Sequence, residues 1–473
     1  GGLDKLTWQP WFYPIVLSWI YGLFGVSLWA AKLVQITAGS LTCVAIAALA
    51  RRIGSPRQAW VAGLMAAGYG PLVFCDGELL AETWAGLWMV LTAWVVVRAK
   101  PAPRLPDGLA LGALGALCLF TRPPLAAAWL VAAVALALAW ARSPTRPAAG
   151  PWVGGLLIGF SIAAWPFLHT VQTTTGQLRL LPSSGGINFY LGNSADPCRT
   201  LNLRPGYQWE TLTQWPTTQG AHTEAQREAF FLAQARHDIQ ARPADWVRHL
   251  MVKAAQFLSS RELPRNIDIY ALRESSPLLA LLVWKVGAVG FPFALLAGLW
   301  VLGLARDRGR PHVVWLMAAA YAGAIVLVHV CDRYRWPVLP LLLPGAAGGA
   351  LLVVDAFRRR AVGAGLGALG ELVGIAALTS VASPFCTETL NYRAELDRLI
   401  ATQAYEAGHF GLAETYARSA LAHDPREPHA LAQLGLVYAR RGQLDEAIRW
   451  FEQAVAAEPR MAPARFNLAR AAV

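Results

Sequence analysis

The chain has 473 residues, 55% of them hydrophobic and only 15% charged, with 20 tryptophans and a formal charge of +12. A soluble protein of this length would not be so apolar, so the composition describes a polytopic membrane protein whose core is made against lipid. No basic run interleaved with aromatics is present, which excludes a nucleic-acid reading, and the six cysteines (Cys43, Cys75, Cys118, Cys198, Cys331, Cys386) show neither CxxC nor Cys/His ligand spacing. No disulfide framework and no zinc site are therefore expected.

The chain opens Gly-Gly-Leu-Asp without an initiator Met or a signal-peptide pattern, and is expected to lack its true start. Residues 11–30 are apolar but carry Pro14, Gly22 and Gly25, which reads as a helix lying in the membrane interface. Spans follow at about 33–50, 57–74, 79–97, 107–121, 125–141 and 152–168, then, after a long polar stretch, at about 279–304, 313–331, 337–356 and 362–383. In the last of these, Gly363 with Gly367 and Gly370 with Gly374 have the spacing that suits close helix packing, and Glu371 beside them is an intramembrane acid.

Alternate connections carry the positive charge. Arg51, Arg52, Arg57, Arg98, Lys100, Arg104, Arg142, Arg146, Arg306, Arg308, Arg310, Arg358, Arg359 and Arg360 make fourteen on one side; the short loops opposite hold three, Arg122, Arg333 and Arg335. The first set is cytoplasmic by the positive-inside rule. This puts residues 75–78, 121–124, a large loop at about 169–278, residues 332–336 and everything after 384 on the outer face.

The tail after residue 390 is amphipathic, charged and repetitive: Gly408 and Gly442, Ala413 and Ala447, Ala420 and Ala454, Pro425 and Pro459, and Ala430 and Ala464 are each 34 residues apart. That period means tetratricopeptide helix pairs, with Leu434, Gly435, Tyr438, Ala447, Phe451 and Ala454 as the nesting small and large positions. The expected fold is all-α: a membrane helix bundle over 1–384 and a tetratricopeptide solenoid over 390–473.

Three constellations carry chemistry. Asp332-Arg333-Tyr334-Arg335-Trp336-Pro337 puts charges in the gap between two apolar runs, where Arg333 and Arg335 match phosphate oxygens in pairs or, on the plainer reading, anchor the chain at the interface. Asp76 and Glu78, with Glu82 one helical turn on, place three acids at the end of a membrane helix, where they either bind a divalent cation or position an acceptor hydroxyl, or only complement a helix N-terminus. In the large loop, Gly185 to Asn193 (GGINFYLGN) alternates aromatic and amide groups suited to a sugar, with Asn188, Tyr190 and Asn193 as candidates and the glycines as turn formers. From Asp245 to Ser260 the sequence reads as a helix. The histidines His169, His249, His312 and His329 are scattered and form no persuasive Ser/His/Asp order.

Taken in order, Lys5 to Pro14 (KLTWQPWFYP), Asp76 to Glu82 (DGELLAE), Arg122-Pro123, Gly186 to Asn193, Arg261 to Tyr270 and Asp332 to Pro337 (DRYRWP) resemble bacterial polytopic glycosyltransferases of the GT-C class. The likeness is to the family 39, protein-mannosyltransferase-like group, which includes members with tetratricopeptide tails, and covers roughly residues 5–355. It implies a GT-C-like enzyme of the bacterial inner membrane that moves a sugar from a polyprenyl-phosphate donor to an acceptor on the periplasmic side. Arg333 and Arg335 would hold the leaving phosphate, and Glu82, Asp76 and Glu78 match acids of an outer loop. Asn188, Tyr190 and Asn193 would face the substrate. No cofactor is obligatory on this reading, a divalent cation being compatible with the acids. The partners implied are the lipid-linked donor, membrane lipid and a protein partner or acceptor recruited by the repeats. The family's catalytic acid lies upstream of the position of Pro10, and Asp4 is too close to Pro10 to be assigned to it. Two rivals remain: a membrane-anchored tetratricopeptide scaffold for envelope assembly without catalysis, and a transporter or flippase of the same lipid, which would show inverted repeats and broken helices.

Overall fold

Serine caps and prolines mark where the membrane helices begin. Ser27 accepts the Ala30 N–H at the start of Leu28–Ile53, Ser55 followed by Pro56 starts Pro56–Ala67, and Gly176, at φ +71, ends Gly150–Thr175. The computed structural model describes residues 8–99, 103–143, 148–266, 268–306, 313–380 and 385–472; Asp4, Lys5, Lys100, Arg146, Ile267, Arg308, Arg310 and His312 lie outside the described residues. Within these the chain is all-α apart from one two-stranded hairpin.

The chain divides into two compact units. The first comprises Gly1–Leu201, Gln214–Arg265 and Leu272–Ser383, and the second Asn202–Thr213, Asn266–Ala271 and Pro384–Val473.

In the first unit, four helices among the described residues are long and apolar enough to cross a membrane: Leu28–Ile53, Gly150–Thr175, Asp332–Arg358 and Val362–Thr379. Shorter apolar helices include Leu105–Thr121, Leu125–Ala141, Phe293–Leu304 and Val313–Val328. The expected span at 57–74 is a pair, Pro56–Ala67 and Gly70–Gly77, bent by 54°. Pro71 cannot donate to the preceding turn, which breaks the hydrogen-bond ladder there. The expected span at 279–304 is also interrupted: a short helix Pro277–Leu282 leads into an antiparallel hairpin, Trp284–Val286 with Val289–Phe291, before Phe293–Arg306. Gly287 supplies the positive φ of the hairpin turn, and Ser260 binds the turn and the second strand, donating to Ala288 O at 3.1 Å and accepting from Gly290 N at 3.0 Å.

Glycine decides how closely two helix pairs approach. Gly108 and Gly112 lie against the backbone at Trp152 and Leu156, and Gly155 and Gly159 lie reciprocally against Leu105 and Leu109, so a Cβ at any of the four would overlap main chain. Gly303 and Gly349 make the same approach between Phe293–Arg306 and Leu339–Arg358. The seam expected in the last span is not of this kind: Gly363, Gly367, Gly370 and Gly374 meet nothing within 4 Å among the described residues, and Glu371 is exposed. The packed face of that helix is the other one, where Gly365 meets Phe357 and Leu372 meets Gly298. Spacing identified a possible seam, but packing chose the opposite face.

A second correction concerns the cysteines. Cys198 and Cys386 are disulfide-bonded, whereas Cys43, Cys75, Cys118 and Cys331 are free. Neither residue has another cysteine near it in the sequence, so no local spacing marks it.

The second unit is built on helix pairs. Tyr392–Glu406 packs with Phe410–His423, Pro428–Arg440 with Leu444–Ala457, and Ala462–Ala471 follows. The 34-residue alanines Ala413, Ala420, Ala430, Ala447, Ala454 and Ala464 are all fully buried. Gly435 lies flat against the Phe451 ring, where a Cβ would come within 2.5 Å of Cε1, so the small and large positions of the repeat are one contact.

Candidate active site

Glu82 opens the helix Glu82–Arg98 and is 3% exposed. Burial of a carboxylate so near lipid requires a counter-charge, and Arg122, at the end of Leu105–Thr121, supplies it through an ion pair from Nη2 to Oε1. The other oxygen, Oε2, has no hydrogen-bond partner among the described residues, and neither has Arg122 Nε. The Arg122 guanidinium lies over the Tyr334 ring at 4.6 Å, and Tyr321 fixes that residue by donating to Tyr334 O at 2.7 Å.

Arg333 projects from the same short turn and feels Glu82 and Arg122 electrostatically. Among the described residues no acceptor lies within hydrogen-bonding or ion-pair distance of its guanidinium. Next to Tyr334, at 5.0 Å between ring centroids, lies His329, completely buried, whose Nε2 is 2.9 Å from Arg265 Nη1.

Arg335 has a different role from its neighbour. Its guanidinium pairs with Glu262 at 2.8 Å, donates to Ser259 O and to Arg261 O at 3.2 Å, and lies over Phe293 at 4.0 Å. Trp336 Nε1 donates to the same Glu262 at 2.9 Å. The two arginines expected to hold a phosphate together thus have different surroundings: Arg335 is buried and paired with Glu262, whereas Arg333 has no such partner among the described residues.

The three acids also separate. Asp76 accepts from Thr83 Oγ1 at 2.9 Å, and its carboxylate rests on Gly39, where any Cβ would overlap it. Glu78 is exposed. Between them the chain is held by Gln35, 2% exposed, whose Nε2 donates to Cys75 O and Glu78 O while its Oε1 accepts from Tyr13 at 2.7 Å. A buried amide thus caps the carbonyls that the helix Gly70–Gly77 leaves open. Among the described residues no three His, Cys, Asp or Glu side chains are grouped to hold a metal ion.

The segment expected to be a turn-rich loop is a helix, Gly185–Asn193. Its glycines serve packing instead of turning: a Cβ at Gly186 would strike the Glu228 backbone, and one at Gly192 the Val328 carbonyl. Asn193 is buried and fully used, donating to Phe189 O and Leu327 O at 2.9 Å and accepting from Trp246 Nε1 at 2.9 Å and Lys253 Nζ at 3.0 Å. Lys253 spends its other protons on Gly192 O and Val328 O, and burial pushes its pKa down to about 8. Tyr190 lies in an aromatic cluster with Trp215 and Phe231, and burial raises its hydroxyl pKa. Asn188 is half-buried, and its backbone faces the His329 imidazole.

The structure therefore brings together Glu82, Arg122, Arg333, Tyr334 and His329, with Asp76 and Glu78 next to Glu82 along the chain. Sequence reasoning missed Gln35, Tyr321, Arg265 and His329. One signal was present for Gln35, an amide inside an otherwise apolar helix.

Residues 9–168 match the family model described as dolichyl-phosphate-mannose-protein mannosyltransferase. Residues 428–460 match the tetratricopeptide-repeat model. Over residues 9–168 the chain is thus similar to membrane glycosyltransferases of the GT-C type, and over residues 428–460 to tetratricopeptide helices. No curated protein matches the chain. The matched stretch contains Gln35, Asp76, Glu78, Glu82 and Arg122; Arg333 and His329 reach the cluster from outside it.

Proposed function

We propose that this chain transfers a sugar from a polyprenyl-phosphate-linked donor to an acceptor at the outer face of a bacterial inner membrane. The observation that carries the reading is the pair of unused donors, Arg122 Nε and the Arg333 guanidinium, beside Glu82 at the ends of apolar helices. Two arginines and one carboxylate leave one net positive charge, which matches the single negative charge of a phosphodiester linking sugar to lipid. The prenyl chain would stay among the helices while the phosphate sits in this notch.

In that arrangement the acceptor oxygen attacks the anomeric carbon, the bond from that carbon to the phosphate oxygen breaks, and the phosphate leaves with the electron pair. Arg333 and Arg122 stabilise the charge that grows on the leaving oxygen. A carboxylate takes the acceptor's proton, with inversion at the anomeric carbon; Asp76 and Glu78 suit this better than Glu82, one oxygen of which is already engaged by Arg122. Asn188 and Tyr190 are offered as contacts to the sugar or acceptor.

The topology is supported by the fourteen-to-three division of positive charge and by the disulfide-bonded state of Cys198 and Cys386, which fall in the two segments assigned outside. The tetratricopeptide helices would recruit the acceptor or a protein partner from that compartment.

The test is transfer from a radiolabelled polyprenyl-phosphate hexose in membranes that contain the full chain. Arg333→Ala is expected to abolish most of the turnover while the protein remains folded. Absence of transfer by the unsubstituted chain would return it to the scaffold reading, and full activity in Arg333→Ala, Asp76→Asn and Glu78→Gln together would remove these residues from the site. Chelator separates the two roles of the acids: unchanged turnover fits carboxylates that orient the acceptor, whereas loss restored by a divalent ion would assign them a cation.

A further inference from the structure

The second unit contains a cavity whose wall is not made by the tetratricopeptide helices alone. Its wall is shared between the starts of Tyr392–Glu406 and Pro428–Arg440 and a stretch from elsewhere in the chain, Asn202–Thr213, which belongs to the same unit. That stretch is fixed at three points. Asn202 Nδ2 donates to Cys386 O at 3.1 Å, Arg204 is ion-paired with Glu395 while lying over the Tyr392 ring at 5.0 Å, and Gly206 sits against the His429 imidazole. Gly206 has φ +104 and a Cβ there would be 3.3 Å from His429 Cε1, so only glycine closes the wall in this way.

The cavity has a volume of ≈ 180 Å³ and is lined by four carboxylates, Glu395, Asp424, Glu427 and Glu458, against two guanidinium groups, Arg204 and Arg398. His429 adds no charge at neutral pH, because burial and the neighbouring Arg398 push its pKa down to about 4. Both arginines are already committed: Arg204 to Glu395, and Arg398 to Glu427 at 3.7 Å and Glu395 at 4.0 Å. The acids have acceptors to spare. Asp424 uses Oδ1 for the Arg426 N–H, and Glu458 makes no side-chain hydrogen bond or ion pair among the described residues. Glu427 caps Pro428–Arg440 through the Ala430 N–H, and burial pushes its pKa up to about 7, so a cation alongside would complete its ionisation.

An excess of acceptors calls for a cationic ligand, and the geometry narrows its type. No three acids among the described residues stand close enough to cage a metal ion. The volume corresponds to about six waters, which suits the end of a long side chain. We propose that this cavity receives the ammonium or guanidinium group of a lysine or arginine side chain on a polypeptide bound by the repeats, with Asp424 and Glu458 as its acceptors. The inference rests on the second unit alone and stands or falls independently of sugar transfer.

The experiment is fluorescence anisotropy on the full chain in detergent, with labelled peptides Gly-Gly-Lys-Gly-Gly and the same sequence carrying norleucine in place of lysine. The lysine peptide is expected to bind about tenfold more tightly or better, the difference that one charge-assisted contact makes. The double variant Asp424→Asn, Glu458→Gln is expected to remove that difference while binding of the norleucine peptide and the melting temperature stay unchanged. Both acids are half-buried, and Glu458 alone, as Glu458→Gln, serves if the double variant is poorly folded. Equal binding of the two peptides, or an undiminished lysine preference in the variants, would overturn the proposal. Displacement of the lysine peptide by n-butylamine at equal concentration would overturn the polypeptide part of it, leaving a site for free amines.

Discussion

Arg122 uses one edge of its guanidinium to neutralise Glu82 and leaves its Nε–H without an acceptor, although both residues are largely buried. Removing either partner strands a charge away from water, at a cost of about 3–5 kcal/mol. Glu82→Gln and Arg122→Gln are therefore each expected to lower Tm in detergent markedly, and the double variant by less than the sum of the two. Additive losses would show that the pair is not coupled.

Arg333 and Arg335 are two residues apart and should respond oppositely. Arg333→Ala is expected to lose turnover by about 1.5–3 kcal/mol of transition-state stabilisation with Tm unchanged. Arg335→Ala removes the partner of Glu262 and the donor to three backbone carbonyls, so it should lower Tm and yield of folded protein first. Equal loss of turnover and unchanged Tm in both would restore them to a joint role.

The cavity of the second unit contains two groups with opposite pH linkage. His429 has its folded pKa lowered to about 4 from 6.5, so the unfolded chain binds the extra proton and stability is lost as pH falls through that window. Glu427 has its folded pKa raised to about 7 from 4.5, so the folded chain binds the extra proton and stability is lost as pH rises from 4.5 to 7. The two slopes oppose each other where the windows overlap. His429→Gln is expected to make the unit less stable with rising pH between these values, and Glu427→Gln to make it more stable with rising pH; unfolding followed across pH in the two full-length variants reads the sign directly.

Cys198 and Cys386 should resist thiol alkylation in intact cells until a reductant is added, whereas Cys43, intermediate in burial and free, should not change with reductant. A reporter that works only in the cytoplasm, fused to the C-terminus, is expected to be silent. Alkylation of Cys198 and Cys386 without reductant, together with a working reporter, would place the tail in the cytoplasm and separate it from the proposed site.

Composition alone determined the membrane class, and the 34-residue period determined the tetratricopeptide helices, because both are properties of local sequence: lipid selects apolar residues all round a helix, and nested helices select small and large residues at fixed spacing. The acids and arginines of the cluster were legible as rare charges next to apolar runs. Their division of labour was not. Whether Arg335 meets a ligand or Glu262, whether Asp76 faces a substrate or lies on Gly39, and whether Asn193 binds a sugar or Lys253 depends on which distant segment packs against each of them. The same holds for the disulfide-bonded cysteines, for the hairpin held by Ser260, and for the cavity that Asn202–Thr213 completes. In each case the sequence supplies the donor or acceptor, and only the tertiary structure supplies its partner, because burial forces every polar group to pair with whatever the fold brings within reach.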